Sequence, residues 1–131
     1  MRYLLPLICL IACGTAAKEK NPCENIRTGE FKLKGPDNSK TWTILRNDST
    51  QEEINHYTGK SVNFSVKWTS PCEYELRLIS SSDTSVNFEM LQKSVIKVTV
   101  TNVNDNFYDF TTHRSPDSFS VSGRMQILKL H

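Results

Sequence analysis

Lys60–Ile79, KSVNFSVKWTSPCEYELRLI, decides the fold. Val62, Phe64, Val66 and Trp68 alternate with Ser61, Asn63, Ser65 and Lys67. Successive side chains of a strand point to opposite faces, so this spacing makes one face apolar and the other wet. A helix would scatter the same four residues around its circumference. The device repeats in Cys72, Tyr74, Leu76 and Leu78, set against Glu73, Glu75 and Arg77. Thr69-Ser70-Pro71 connects the runs, and Pro71 fixes φ where the chain must turn. The stretch is a β-hairpin with one buried face.

The same signals recur outward. Phe31 and Leu33 alternate with lysines, and Gly35-Pro36-Asp37-Asn38-Ser39 is a turn cluster before a strand through Trp42 and Ile44. Arg46-Asn47-Asp48 closes that strand in an Asx-type turn, although charged residues there could also line a barrel mouth. Thr50 to Tyr57 is poor in apolar residues, with Ile54 and Tyr57 as its anchors, and reads as an edge or rim strand. Further strands fall at Lys93–Thr101, Phe107–His113 and around Phe119, Val121, Met125 and Ile127, where Gly123 marks a bulge or bend. A short turn is expected between Val86 and Gln92. About eight short strands with hairpin-length connections make a single-domain, all-β antiparallel meander. It closes as a barrel or packs as a two-sheet β-sandwich.

The chain has 131 residues and a formal net charge of +2. That length suits one core, and a near-neutral balance without a basic stripe implies no nucleic-acid partner. Met1-Arg2, an apolar run from Tyr3 to Ala12 and the hydrophilic Lys18-Glu19-Lys20 form an export signal. The apolar run is too short to span a bilayer, which takes about 20 residues. Leu10-Ile11-Ala12-Cys13 resembles the bacterial lipobox, whose cysteine is lipidated and becomes the first mature residue. The alternative is ordinary cleavage after Ala17, with Thr15 and Ala17 as the small residues, giving a secreted or periplasmic protein. On the lipobox reading, residues 1–12 are signal peptide, 13–22 a lipid-anchored tether and 23–131 the all-β domain. The expected address is then the bacterial cell envelope, as an outer-membrane lipoprotein held to the membrane by its N-terminal acyl chains.

Cys23 and Cys72 remain after either cut. Export to an oxidising compartment makes a disulfide the natural reading; two buried thiols or a metal site are its rivals. No Cys-x-x-Cys or paired-histidine spacing supports a metal. His56, His113 and His131 are expected at the surface. Glu73 and Glu75 share a strand face and are expected in solvent, with Arg77 or Lys67 as partners, not as a catalytic pair. No Gly-x-Ser-x-Gly and no phosphate-binding glycine loop occurs, so no catalytic residue and no cofactor is assigned. Trp42, Trp68 and Tyr74 are expected in the core and not as a nucleic-acid stacking platform; an interior filled by these three and Phe110 would leave no cavity. Asn47-Asp48-Ser49 and Asn63-Phe64-Ser65 fit the eukaryotic glycosylation pattern, which a bacterial lipoprotein does not use.

Cys23-x-x-Ile26-Arg27-x-Gly29-x-Phe31, then Arg46-Asn47-Asp48-Ser49, then Trp68-Thr69-Ser70-Pro71-Cys72-Glu73-Tyr74-Glu75-Leu76 resemble recurring blocks of small exported proteins of Bacteroidota-type bacteria. Some of those have carried the label DNA topoisomerase IV, which an exported chain this short, with no ATP-binding loop, does not fit. The resemblance implies a Cys23–Cys72 pair and export, and it brings no activity. Gly29-x-Phe31 after a short helical turn also resembles the opening of lipocalin-like barrels, a fold-level likeness. Taken together, a non-enzymatic β-barrel binding a small apolar ligand is expected. The alternatives are a structural or protein-interaction subunit of an envelope complex, and a secreted hydrolase.

Overall fold

A computed structural model describes Gly14 and residues 20–131. Cys13, Thr15 and Ala17, on which the two processing readings turn, lie outside the described residues, as does most of the 13–22 tether. The chain forms β1 (Gly29–Leu33), β2 (Trp42–Arg46), β3 (Thr50–Asn55), β4 (Ser61–Ser70), β5 (Glu73–Ser81), β6 (Val95–Val103), β7 (Phe107–Ser115) and β8 (Phe119–Leu130). Each strand pairs antiparallel with the next, and β8 returns to pair with β1. The sheet is therefore a closed, lipocalin-like up-and-down barrel and not a sandwich. Closure gives every strand a neighbour on both sides, although β8 meets β1 only over residues 126–130 and β5 meets β6 only over residues 73–76.

The hairpin of Lys60–Ile79 is β4–β5, with Val66 opposite Leu76 and Trp68 opposite Tyr74. Cys72 differs from the expected phase: it sits in the turn, outside both strands, and is bonded to Cys23. Glu73 and Glu75 face outward as expected, paired with Lys97 and Arg77 respectively. The turn near Val86–Gln92 is a short helix, α1 (Phe88–Gln92), in the β5–β6 connection.

Two local expectations are corrected. Thr50–Tyr57 is not an edge or rim strand: β3 pairs along its length with both β2 and β4. Its poverty in apolar residues has another cause, a polar inward stripe described below. Gly123 is not a bulge, because the β7–β8 register runs through it without a shift. Its missing side chain makes room for an aromatic ring instead, since a Cβ there would lie 2.8 Å from Phe110 Cζ. The bulges fall elsewhere, between Glu30 and Phe31 and in the β4–β5 and β6–β7 pairings. Gly29 stands at φ 153°, where a Cβ would strike the Lys129 carbonyl, so only glycine lets β8 close on β1.

One pole of the barrel is plugged. A 3-10 helix, Pro22–Ile26, precedes β1, its first turn capped by Asn21 Oδ1, which accepts from Cys23 N. Proline at its start fits a position whose N–H has no helical partner. Ile26 is fully buried against the core, and the Cys23–Cys72 disulfide ties the plug to the β4–β5 turn. The turns β2–β3 and β6–β7 lie at this same pole.

The bridge spans a sequence separation of 49 residues. Confining a loop of that size stabilises by about 4 kcal/mol in the chain-entropy model. Reduction, or the pair Cys23→Ser and Cys72→Ser, should lower the unfolding free energy by up to that amount, read from urea midpoints. An unmoved midpoint would mean that the plug holds without its bridge.

Candidate binding cavity

The inward side chains divide the barrel into a filled half and a hollow half. Arg46 organises the filled half. It continues the phase of Trp42 and Ile44 on β2, so its side chain points into the barrel, where it is 2% exposed. Isolated burial of a guanidinium would cost far more than a small domain can offset. Here Nε donates to Gln51 Oε1 at 2.7 Å and Nη1 to the Ile26 carbonyl at 2.8 Å. Nη2 donates to the hydroxyls of Tyr74 at 2.9 Å and Tyr108 at 2.7 Å. The Phe31 and Tyr74 rings lie 4.8 and 4.7 Å from its Cζ, adding cation–π contacts. Burial opposes the charge, but Tyr108, Tyr74 and Glu53 more than offset it, so Arg46 stays protonated. Burial pushes the Tyr74 phenol well above its ordinary value, although Arg46 pulls it down; the tyrosine remains a neutral acceptor.

β3 supplies the polar stripe. Gln51 accepts from Arg46 and passes the polarity on, its Nε2 donating to Glu53 Oε2 at 2.9 Å. Glu53 sits between Ile44 on β2 and Val62 on β4, both buried. It is only partly buried, because it faces the interior space. That burial raises its carboxyl above the ordinary value, with the Gln51 hydrogen bond and the Arg46 charge pulling the other way. Asn55, the third member, pins the far rim: its Nδ2 donates to the Ser39 carbonyl, and its Oδ1 accepts from Tyr57 N and Thr58 N.

Beyond Arg46 the barrel is hollow. A cavity of about 280 Å³ is lined by Phe64, Tyr74, Leu76, Val98, Phe110 and Met125, with Gln51 and Glu53 on the β3 side. Thr112, Arg114, Phe119 and Val121 line it near the β7–β8 turn. Phe119 is 53% exposed and Val121 is also exposed, so this lip is apolar and open. Arg114 does not offer a free charge there: Nε and Nη2 donate to the Asp117 carboxylate, and its guanidinium stacks on Phe119.

Of the residues weighed from sequence, Tyr74 and Phe110 line the cavity, while Trp42 and Trp68 pack partly buried against the core. His56 Nε2 lies 2.6 Å from Thr43 Oγ1 on the exposed surface, and His113 and His131 are exposed. Asn47 forms the expected Asx turn, its Oδ1 accepting from Ser49 N and Thr50 N. Sequence reasoning missed Gln51 and Glu53, and placed Arg46 in a turn or at a barrel mouth rather than inside the barrel. The phase of Arg46 with Trp42 and Ile44 was the available signal; Glu53 had none, because both faces of β3 carry polar residues. Comparison with protein-family models, curated proteins and solved structures found no match.

Arg46→Met would leave Gln51 Oε1, the Ile26 carbonyl and two tyrosine hydroxyls without their donor, at a cost of about 3 kcal/mol. Urea unfolding should show that loss. Arg46→Lys, with one nitrogen for all these acceptors, should recover less than half of it; near-wild-type stability in either variant contradicts the role given to Arg46.

Proposed function

We propose that this protein is a non-enzymatic, small-ligand-binding β-barrel carried on a lipid-anchored envelope protein. The single observation that supports binding is the cavity of about 280 Å³, walled mainly by apolar side chains and reached past an apolar lip. Pockets for small molecules are concave, mostly apolar and furnished with a few polar groups that orient the ligand. An apolar cavity of about 150 Å³ holds a benzene ring, so this volume suits a body of roughly two fused rings. The filled half supports the reading as well: the Arg46 network holds the cavity floor rigid, so little ordering is left for a ligand to impose. The envelope address rests on Leu10-Ile11-Ala12-Cys13 and on the family resemblance of the cysteine-centred block.

Indole is a suitable neutral probe. Titration calorimetry should detect its binding to the wild type. Thr112→Trp, which fills the cavity from β7, should weaken it at least about tenfold while the thermal midpoint is retained. Absence of indole binding to the wild type would refute the cavity reading. For the address, Cys13→Ala should release the protein in soluble form from membranes of the expressing cell; continued membrane retention would refute the lipobox.

A further inference from the structure

We infer that the occupant of the cavity is an amphipathic amine, its apolar body between Phe64, Leu76, Phe110 and Met125 and its ammonium group on Glu53. The inference rests on the binding role proposed above and adds the chemistry of the head group. The polar side chains of the lining are few, and the ones nearest the floor are tied to one another. Gln51 accepts from Arg46 and donates to Glu53, and the Tyr74 hydroxyl is held by Arg46. Thr112 Oγ1 donates to the Val121 carbonyl, and Arg114 is bound by both oxygens of Asp117. The Glu53 carboxyl takes one hydrogen bond, at Oε2, among the described residues. Glu53 is the one carboxyl group among the lining residues, and its second oxygen, Oε1, has no hydrogen-bond partner among the described residues.

Charge sharpens the choice. The groups facing Glu53 are Arg46 from β2, Tyr74 from β5 and, farther along, Tyr108 and Arg114 from β7. The neighbouring positions on β4, β6 and β8 are Val62, Phe64, Val98 and Met125, all apolar. Arg46 spends its hydrogen bonds on the floor and does not line the cavity, so its charge favours an ionised Glu53 without meeting the ligand. A carboxylate head pointing inward would confront Glu53, and one pointing outward would find Arg114 already paired. An ammonium pointing inward completes the row Arg46, Gln51, Glu53, amine with alternating polarity. A hydrogen bond to a charged partner contributes about 1.5–3 kcal/mol, which is tenfold or more in affinity.

Three probes share an indole body and differ only in the head: tryptamine, tryptophol and indole-3-propionate. Calorimetry at neutral pH should rank them amine, then alcohol, then acid, with the amine at least about tenfold tighter than the acid. Glu53→Gln should collapse that ranking to within about threefold. In the wild type the advantage of tryptamine over tryptophol should shrink as the pH is lowered through the raised carboxyl value of Glu53 and the group gains a proton. Equal binding of all three, or tighter binding of the acid, would overturn the amine inference and leave the cavity reading standing. Binding of none would overturn both.

Discussion

A guanidinium shut inside a small β-barrel is the constraint around which the rest is arranged. Arg46 cannot lose its charge, so every element near it is committed to supplying an acceptor or an aromatic face. β3 gives Gln51, β5 gives Tyr74, β7 gives Tyr108, and the N-terminal plug gives the Ile26 carbonyl. Four segments distant in sequence are thereby fixed in one register. A core of aliphatic side chains could fill the same space, but it would not require that particular set of neighbours.

That commitment explains why the interior is uneven. The polar chain that begins at Arg46 runs along β3 through Gln51 to Glu53, and apolar packing cannot be continuous beside it. Phe31 and Tyr108, packed edge to face, fill the Arg46 half together with Ile26. Past Glu53 the space stays open between Leu33, Ile96, Thr112 and Val121. Gly123 does not widen the cavity on its own account; it makes room for the far end of the Phe110 ring.

The sequence made the architecture legible where alternation was clean. β4 and β5 read directly, because Val62 through Trp68 and Tyr74 through Leu78 carry period-two patterns with polar outer faces. The Cys23–Cys72 pair followed from export and cysteine count. β3 failed for the opposite reason: Gln51, Glu53 and Asn55 point inward yet are polar, so its pattern resembled a rim. The binding features hid in the same place, since an inward-facing glutamate looks like any solvent-facing one until its neighbours Ile44 and Val62 are known. Arg46 was half visible. Its phase matched Trp42 and Ile44, but its adjacency to Asn47-Asp48 drew it into the turn, and the turn itself was read correctly.

The plug has a directional consequence. Pro22–Ile26 enters at the sealed pole, and the Thr28 hydroxyl donates to the carbonyl of His131, so the chain comes in and goes out on the same side. The lip formed by Phe119 and Val121 lies at the other pole. The molecule therefore has a handle and an orifice on opposite ends of one axis. Anything joined ahead of Lys20 is attached at the end of that axis away from the orifice.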